Sequence, residues 1–380
     1  MSLTALASEV RITRIETIGL RVELERPATG ASLALTHRCT ILTRVYTDAD
    51  VVGECFLGND DALQPAIMAL IADELEPALL GRPVVAIDDA WERTRVATVP
   101  FLRDRRIALR AQACVDAALH DAVGKLTGLP LNLLWGAAKP SVPVFALGGY
   151  YSTGDDERAL REEVRSLQEM GIGGLKVKVG ARSPEEDARR VATVRDAGGP
   201  DFLVAADANQ AWGRREAVEF VERTREMELA WLEEPCRWDD DRQEMATLRA
   251  ATGIPIAAGQ SELSRFGCRD LLVAGAVDHL NFDAYWGAGP SEWRRSAAVA
   301  SAFGATALQH LEPQIGTMMV AGTHNAHWAE VMMPWRDPFF YRLIDRTGPT
   351  FQDGSYRLPT APGWGLRIDT DYLDHVRVDR

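Results

Sequence analysis

From Ser141 onward the chain alternates short apolar runs with amphipathic stretches at about 25 residues to the unit, and few folds accept that rhythm. The runs VPVFALGGY, GLKVKV, FLVAADAN, LAWLEEP, IPIAAGQSE, VDHLNFDA and ATALQHL read as strands, with AHWAEVM as an eighth. Between them DERALREEVRSLQEMG, SPEEDARRVATVRDAGG and GPSEWRRSAAVASAFG space their apolar residues as helices do. No glycine-rich phosphate loop follows the first run, so the α/β class resolves to a closed parallel barrel rather than an open doubly wound sheet. In such a barrel the side chains at the carboxyl ends of the strands meet at one mouth.

The preceding residues read differently. VRITRIETIGLRVEL and CTILTRVYTDADVVGECF have period-two character with an acidic turn at Asp48–Asp50, which predicts a β-meander. Helical spacing follows from Leu63 to Leu134, clearest in ALRAQACVDAALHDAVGKLTG, and Gly128 and Pro130 stop that helix. We therefore expect an α+β domain over 1–138 and the barrel over 139–347. A closing segment over 348–380, whose TAPGWGLRID is rich in Pro and Gly, is expected to pack back on the first domain. A formal charge of −13 excludes nucleic acid and anionic membrane surfaces as partners, since both require a basic face. Five cysteines without a CxxC pair fit buried, reduced thiols in a cytoplasm. The start MSLTALASEVRITRIE lacks a basic segment followed by an apolar one, and no export signal or membrane span is read.

Three of the barrel runs end in acid: Asp207 in VAADAN, Glu233 in AWLEEP and Glu262 in IAAGQSE. Gathered at one mouth, their charges repel and call for a hard cation, with magnesium the first choice. Gln260 and Glu262 are two residues apart and share a strand face, and a carboxylate suits a hard ion better than an amide, which selects Glu262. Lys176 and Lys178 share a face inside the apolar run GLKVKVG and point at the acids. An ammonium near a second cation and partly desolvated has a lowered pKa, which makes Lys178 the general base. Downstream, Asp283 accepting from one nitrogen of His310 fixes the tautomer and raises the basicity of the other, giving a second acid/base. Glu330 in AHWAE, when protonated, can hydrogen-bond a developing oxyanion, and Glu312 competes for that role. Asn209, beside Asp207, joins Lys176 and Glu330 as an expected substrate contact.

Taken in order, KVK at 176–178, DAN at 207–209, EEP at 233–235, Asp283, His310 and the glutamate of AHWAE resemble the mandelate racemase group of the enolase superfamily. VDAALHDAVGKLTGLPLNLLWG and APGWGLRID extend the likeness over nearly the whole chain. The resemblance implies a modified (β/α)7β TIM barrel, an α+β capping domain formed by both termini, and self-association into a homo-oligomer. It also implies one magnesium ion on three carboxylates, here Asp207, Glu233 and Glu262, chelated by the carboxylate of a small-molecule substrate. A base removes the α-proton, and a lysine like Lys176 helps stabilise the enediolate. Lys178 and the His310–Asp283 dyad then face opposite sides of the substrate. By spacing, Gln260 stands where that family's third ligand stands, so the choice of Glu262 departs from the pattern.

Two enzymatic readings follow. One is a dehydratase of a sugar acid, in which His310 protonates the departing β-hydroxyl. The other is a racemase or epimerase of a 2-hydroxy acid or related carboxylate, in which one base removes the proton and the other returns it. The cap loops around Arg26–Arg38 and Cys55–Asp61, with His37, Arg38, Asn59 and Asp60, favour a polyol acid. A barrel that binds a ligand without turnover is a third reading, and a metal-dependent hydrolase ranks low because no HxH stands near the first barrel strand.

Overall fold

The structure, a computed structural model, describes residues 9–31, 34–58, 62–137, 139–310, 312–345 and 350–378. Of the cap loops named above, Asn59, Asp60 and Asp61 lie outside the described residues.

Strands β1 (Ile12–Thr29), β2 (Ala34–Thr47) and β3 (Val52–Leu57) form the expected antiparallel meander. A long helix, Arg105–Thr127, lies on it. Asp104 caps the start by accepting from the backbone N–H of Arg106, and Gly128 ends the helix in the left-handed region at φ 69°. The helix comes so close to β3 that a Cβ on Gly53 would stand 2.2 Å from the carbonyl oxygen of Ala118, which only glycine allows.

Eight parallel strands follow: β4 (Ser141–Gly148), β5 (Gly174–Lys178), β6 (Leu203–Asp207), β7 (Leu232–Glu233), β8 (Ile256–Ala258), β9 (His279–Phe282), β10 (Thr306–Gln309) and β11 (Ala329–Val331). Neighbours pair in sequence from β4 to β10, and β11 returns to pair with β4. The remaining seam, between β10 and β11, is bridged by a side chain. Gln309 accepts from the backbone N–H of Glu330 at 3.1 Å and donates to its carbonyl at 3.4 Å, in place of a regular ladder. A helix stands in each of the seven connections, so the architecture is the (β/α)7β barrel that the rhythm and the resemblance predicted. Phe145, Ala205, Trp231, Ala257 and Leu308 pack together inside the ring and form its apolar floor.

The tail departs from expectation. Residues 351–357 form a hairpin, β12 (Phe351–Gln352) and β13 (Ser355–Arg357), and β13 pairs antiparallel with the amino end of β4, so this part serves the barrel and not the cap. The segment beyond it does reach the cap. The ring of Trp364 is fully buried, and its Nε1 donates to the carbonyl of Ala117 at 2.9 Å. The helix Thr370–Val376 sets Leu373 and Val376 against Ile18 and Leu20 of β1. All five cysteines are free and buried. Among the described residues no helix is long and apolar enough to cross a membrane.

Candidate active site

Strand register assembles the centre. Lys178 of β5 pairs with Asp207 of β6, and Asp207 with Glu233 of β7, so the three side chains form one row across adjacent strands. Asp207 lies two residues beyond Ala205 and Glu233 two beyond Trp231, on the inner face above the apolar floor. The Nζ of Lys178 donates to Asp207 Oδ2 at 2.5 Å. One step lower, Lys176 donates to Glu233 Oε1 at 2.6 Å, stands 3.8 Å from Asp207 Oδ2, and pairs with Glu330 from β11. These five side chains are all buried.

Charge organises the cluster. Burial would raise Asp207, but Lys178 and Lys176 beside it hold it below the ordinary aspartate value. Burial, with Asp207 and Glu330 nearby, pushes Glu233 up to about 7 against the pull of Lys176. Lys176 stays an ammonium: desolvation opposes its charge, yet Glu233, Glu330 and Asp207 outweigh it. Lys178 corrects an expectation. Burial lowers its pKa, but the contact with Asp207 more than restores it, and the net direction is upward. A neutral Lys178 therefore requires that the charge of Asp207 be engaged elsewhere.

Across the mouth, three strands away through β4 and β11, stands the second acid/base group. His310 follows β10 and Asp283 follows β9, and their Nδ1 and Oδ2 lie 2.6 Å apart. The other oxygen of Asp283 accepts from the backbone N–H groups of Tyr285 at 2.7 Å and Trp286 at 3.0 Å, so the carboxylate cannot rotate away. Burial depresses His310, but the hydrogen bond and charge of Asp283 prevail and raise it.

One expected residue lies elsewhere, and a second is engaged with an acid of the cluster. Glu262 does not join the acids: β8 ends at Ala258, and a turn carries the chain off, with the N–H of Glu262 donating to the carbonyl of Gly259. Strand alternation no longer applies there, and the Glu262 carboxylate is paired with Arg242. Among the described residues no three His, Cys, Asp or Glu side chains converge in a set suited to an ion. Asn209, expected against the substrate, instead clamps Asp207, donating to its two oxygens from the backbone at 2.9 Å and from Nδ2 at 3.2 Å. Of the two competing glutamates, Glu330 faces Lys176, while burial pushes Glu312 up to about 8 despite the nearby Arg38.

Sequence reasoning passed over Asn281 and Tyr150, and placed Arg38 only among the polar residues of a cap loop. Asn281 donates to Glu233 Oε1 at 3.0 Å; it lies two residues before Asp283, a same-face spacing that was legible. Arg38, on β2 of the cap, is buried and pairs with Asp337 at 2.9 Å while feeling Glu312. Tyr150, just past β4, has its ring 5.8 Å from Lys178 Nζ. Nothing local in the sequence marks Tyr150, or the pairing of Arg38 with Asp337.

Residues 14–136 match the family described as the mandelate racemase / muconate lactonizing enzyme N-terminal domain, and residues 159–372 match the enolase C-terminal domain-like family. The chain belongs to the mandelate racemase / muconate lactonizing enzyme family. Among relatives of this family, the chain is 31% identical to the arabinonate dehydratase of Saccharolobus solfataricus over 90% of this chain and 92% of that protein. It is 29% identical to the D-galactarolactone cycloisomerase of Agrobacterium fabrum over 97% of this chain and 99% of that one. A mandelate racemase/muconate lactonizing enzyme of a marine actinobacterium, solved in complex with magnesium, superposes with a TM-score of 0.90 at 38% identity, over 97% of this chain and all of that one.

Proposed function

We propose that this family member is a magnesium-dependent lyase that removes the proton α to a carboxylate and dehydrates a sugar acid. The observation that carries the reading is the pair of proton-transfer groups, Lys178 and His310–Asp283, standing on opposite sides of one buried cluster of acids and lysines. Asp207 and Glu233 are the carboxylates to hold the ion, and both are buried with oxygens on the inner face of the ring. Bound magnesium supplies positive charge beside the substrate carboxylate and so makes the α-carbon acid enough to ionise.

The chain's own residues then divide the work. Lys178, once neutral, accepts the α-proton. Lys176, an ammonium held by carboxylates, stabilises the negative charge that develops on the substrate carboxylate. His310 enters protonated through Nε2 and donates to the β-hydroxyl as its C–O bond breaks. Water leaves, and the enol that remains collapses to a 2-keto acid. Racemisation or epimerisation is the second reading, favoured by the same opposed groups, since one can remove a proton and the other return it.

The division into a cap over 1–138 and a barrel over 139–347 belongs to this reading, supported by the separate three-stranded sheet and the eight-stranded ring. A cytoplasmic location is supported by the five free, buried thiols. Self-association is supported by Phe101 and Leu102, 80% and 87% exposed on the cap.

The test is a panel of aldonic and aldaric acids incubated with the magnesium-loaded enzyme in D2O, with formation of 2-keto product and deuterium at the α-carbon followed by NMR. Lys178→Ala and His310→Asn are expected to abolish dehydration with the fold intact. Absence of both product and exchange across the panel refutes the proposal. Exchange with no loss of water selects the isomerase reading.

A further inference from the structure

The chain leaves β4 and β5 beside Lys178, and one buried side chain holds both exits. Arg190, on the helix Pro184–Gly198, is only 2% exposed. Its Nη2 donates to the carbonyl of Gly149 at 2.5 Å and to the carbonyl of Lys178 at 3.4 Å. The last registered pair between the two strands is Gly148 with Val177, so these carbonyls lie just past the end of the ladder. Buried there, each needs a donor from elsewhere. The Nη1 of Arg190 pairs with Asp156, a buried residue that opens the helix Asp156–Glu169.

Gly149 is held from both ends of its backbone. Its N–H donates to Glu163 Oε2 at 3.1 Å while Arg190 takes its carbonyl. Its φ is 56°, and a Cβ there would stand 2.8 Å from Val177 Cγ1 of β5, so the turn requires glycine. Tyr150 follows directly and carries the ring beside Lys178 Nζ. On the β5 side, Asp187 accepts from the N–H of Gly180 and from the hydroxyl of Tyr151, both at 2.7 Å, and stands 3.8 Å from Arg190 Nε. A planar guanidinium can serve an acid and two carbonyls at fixed angles, whereas an ammonium is a single compact group.

Resting on the assignment of Lys178 as the base, we infer that Arg190 is a positioning residue for proton transfer: by clasping the carbonyls of Gly149 and Lys178 it sets the height and angle of the Lys178 side chain at the mouth, and places Tyr150 beside it. The clasp joins the ends of β4 and β5 to the two helices that follow them, whereas the His310–Asp283 dyad follows β9 and β10. Loosening it therefore acts on one face of the substrate. A misplacement of about 1 Å lowers a rate by about 10²-fold.

The assay is α-proton removal from aldonic acids epimeric at the α-carbon, which present that proton to opposite faces, by the magnesium-loaded enzyme in D2O, read by NMR as α-deuterium or 2-keto acid. Arg190→Lys is expected to slow removal on the Lys178 face by about 10²-fold in kcat, with KM and the His310 face changed less than about threefold. Asp156→Asn, which loosens the guanidinium without removing it, is expected to lose about tenfold or more on the same face, and it carries the test if Arg190→Lys does not fold. Tyr151→Phe loses the bonds to Asp187 and to the N–H of Ala181 but none to the two carbonyls. It is expected to melt at a lower temperature and to keep wild-type rates on both faces. A loss below about tenfold on the Lys178 face, equal losses on both faces, or the same selective loss in Tyr151→Phe overturns the inference. Lys178→Ala distinguishes the two failures. If it keeps α-proton removal on its face, the base assignment falls; if it abolishes it while Arg190→Lys does not slow it, only the positioning role falls. Absence of α-proton removal by the wild type overturns both.

Discussion

Asp283→Asn isolates the dyad with the least change in shape, and its effect can be worked out from three contacts. One Asp283 oxygen is committed to the N–H groups of Tyr285 and Trp286, at 2.7 and 3.0 Å, and both require an acceptor. The single oxygen of asparagine must stay there, which turns its NH2 toward His310 Nδ1, 2.6 Å from the present Oδ2. Facing a donor, Nδ1 becomes the acceptor and the imidazole proton moves to Nε2, the wrong tautomer for a base on the substrate side. The charge that raises the His310 pKa is lost as well, so the group becomes a weaker base and is less protonated as an acid. General acid–base catalysis contributes about 10²- to 10⁴-fold, or roughly 3–5 kcal/mol of barrier, and a loss in that range is expected in kcat with little change in KM. Hydrogen–deuterium exchange at the α-carbon, read separately for substrates presenting the proton to His310 and to Lys178, is the assay. Exchange on the Lys178 side should survive. A loss below about tenfold, or equal losses on both sides, refutes the tautomer argument.

Glu262→Gln should leave magnesium affinity unchanged and lower stability by about 0–1 kcal/mol, because the Arg242 partner is 41% exposed; calorimetry and melting curves decide it. His120, on the cap helix and buried against Ser291, is depressed to about 3 by burial and the nearby Arg294 and Arg295. A histidine with a lowered folded-state pKa stabilises above its unfolded value of about 6.5 and loses that contribution as pH falls. Acidification from pH 6.5 to 4.5 should therefore cost the metal-free protein about 2–3 kcal/mol from this residue, and a melting profile as steep in His120→Gln as in the wild type contradicts it.

Periodicity carried much of this molecule. The eight strand runs and the acids at their ends depend on local properties, apolar spacing and side-chain alternation, which the chain displays without folding. Lys178, Asp207 and Glu233 were legible because each lies within a regular strand, and register then aligned them. The rule failed where regularity stopped. Just past the end of β8 a glycine at φ 134° reverses which side chain points inward, so Gln260 is buried and Glu262 pairs with Arg242. No spacing rule anticipates a single torsion angle.

The chain by itself determined the element order, the barrel class and the residue types able to move a proton or hold an ion, since each follows from nearest-neighbour patterning. Only the tertiary structure decided which of those groups meet, that Lys178 carries its proton against Asp207, and that Arg38 from the cap reaches Asp337 beyond the barrel strands. Desolvation and Coulomb attraction depend on distance in space, and residues 299 positions apart in sequence become neighbours only when strands and cap close around the same interior.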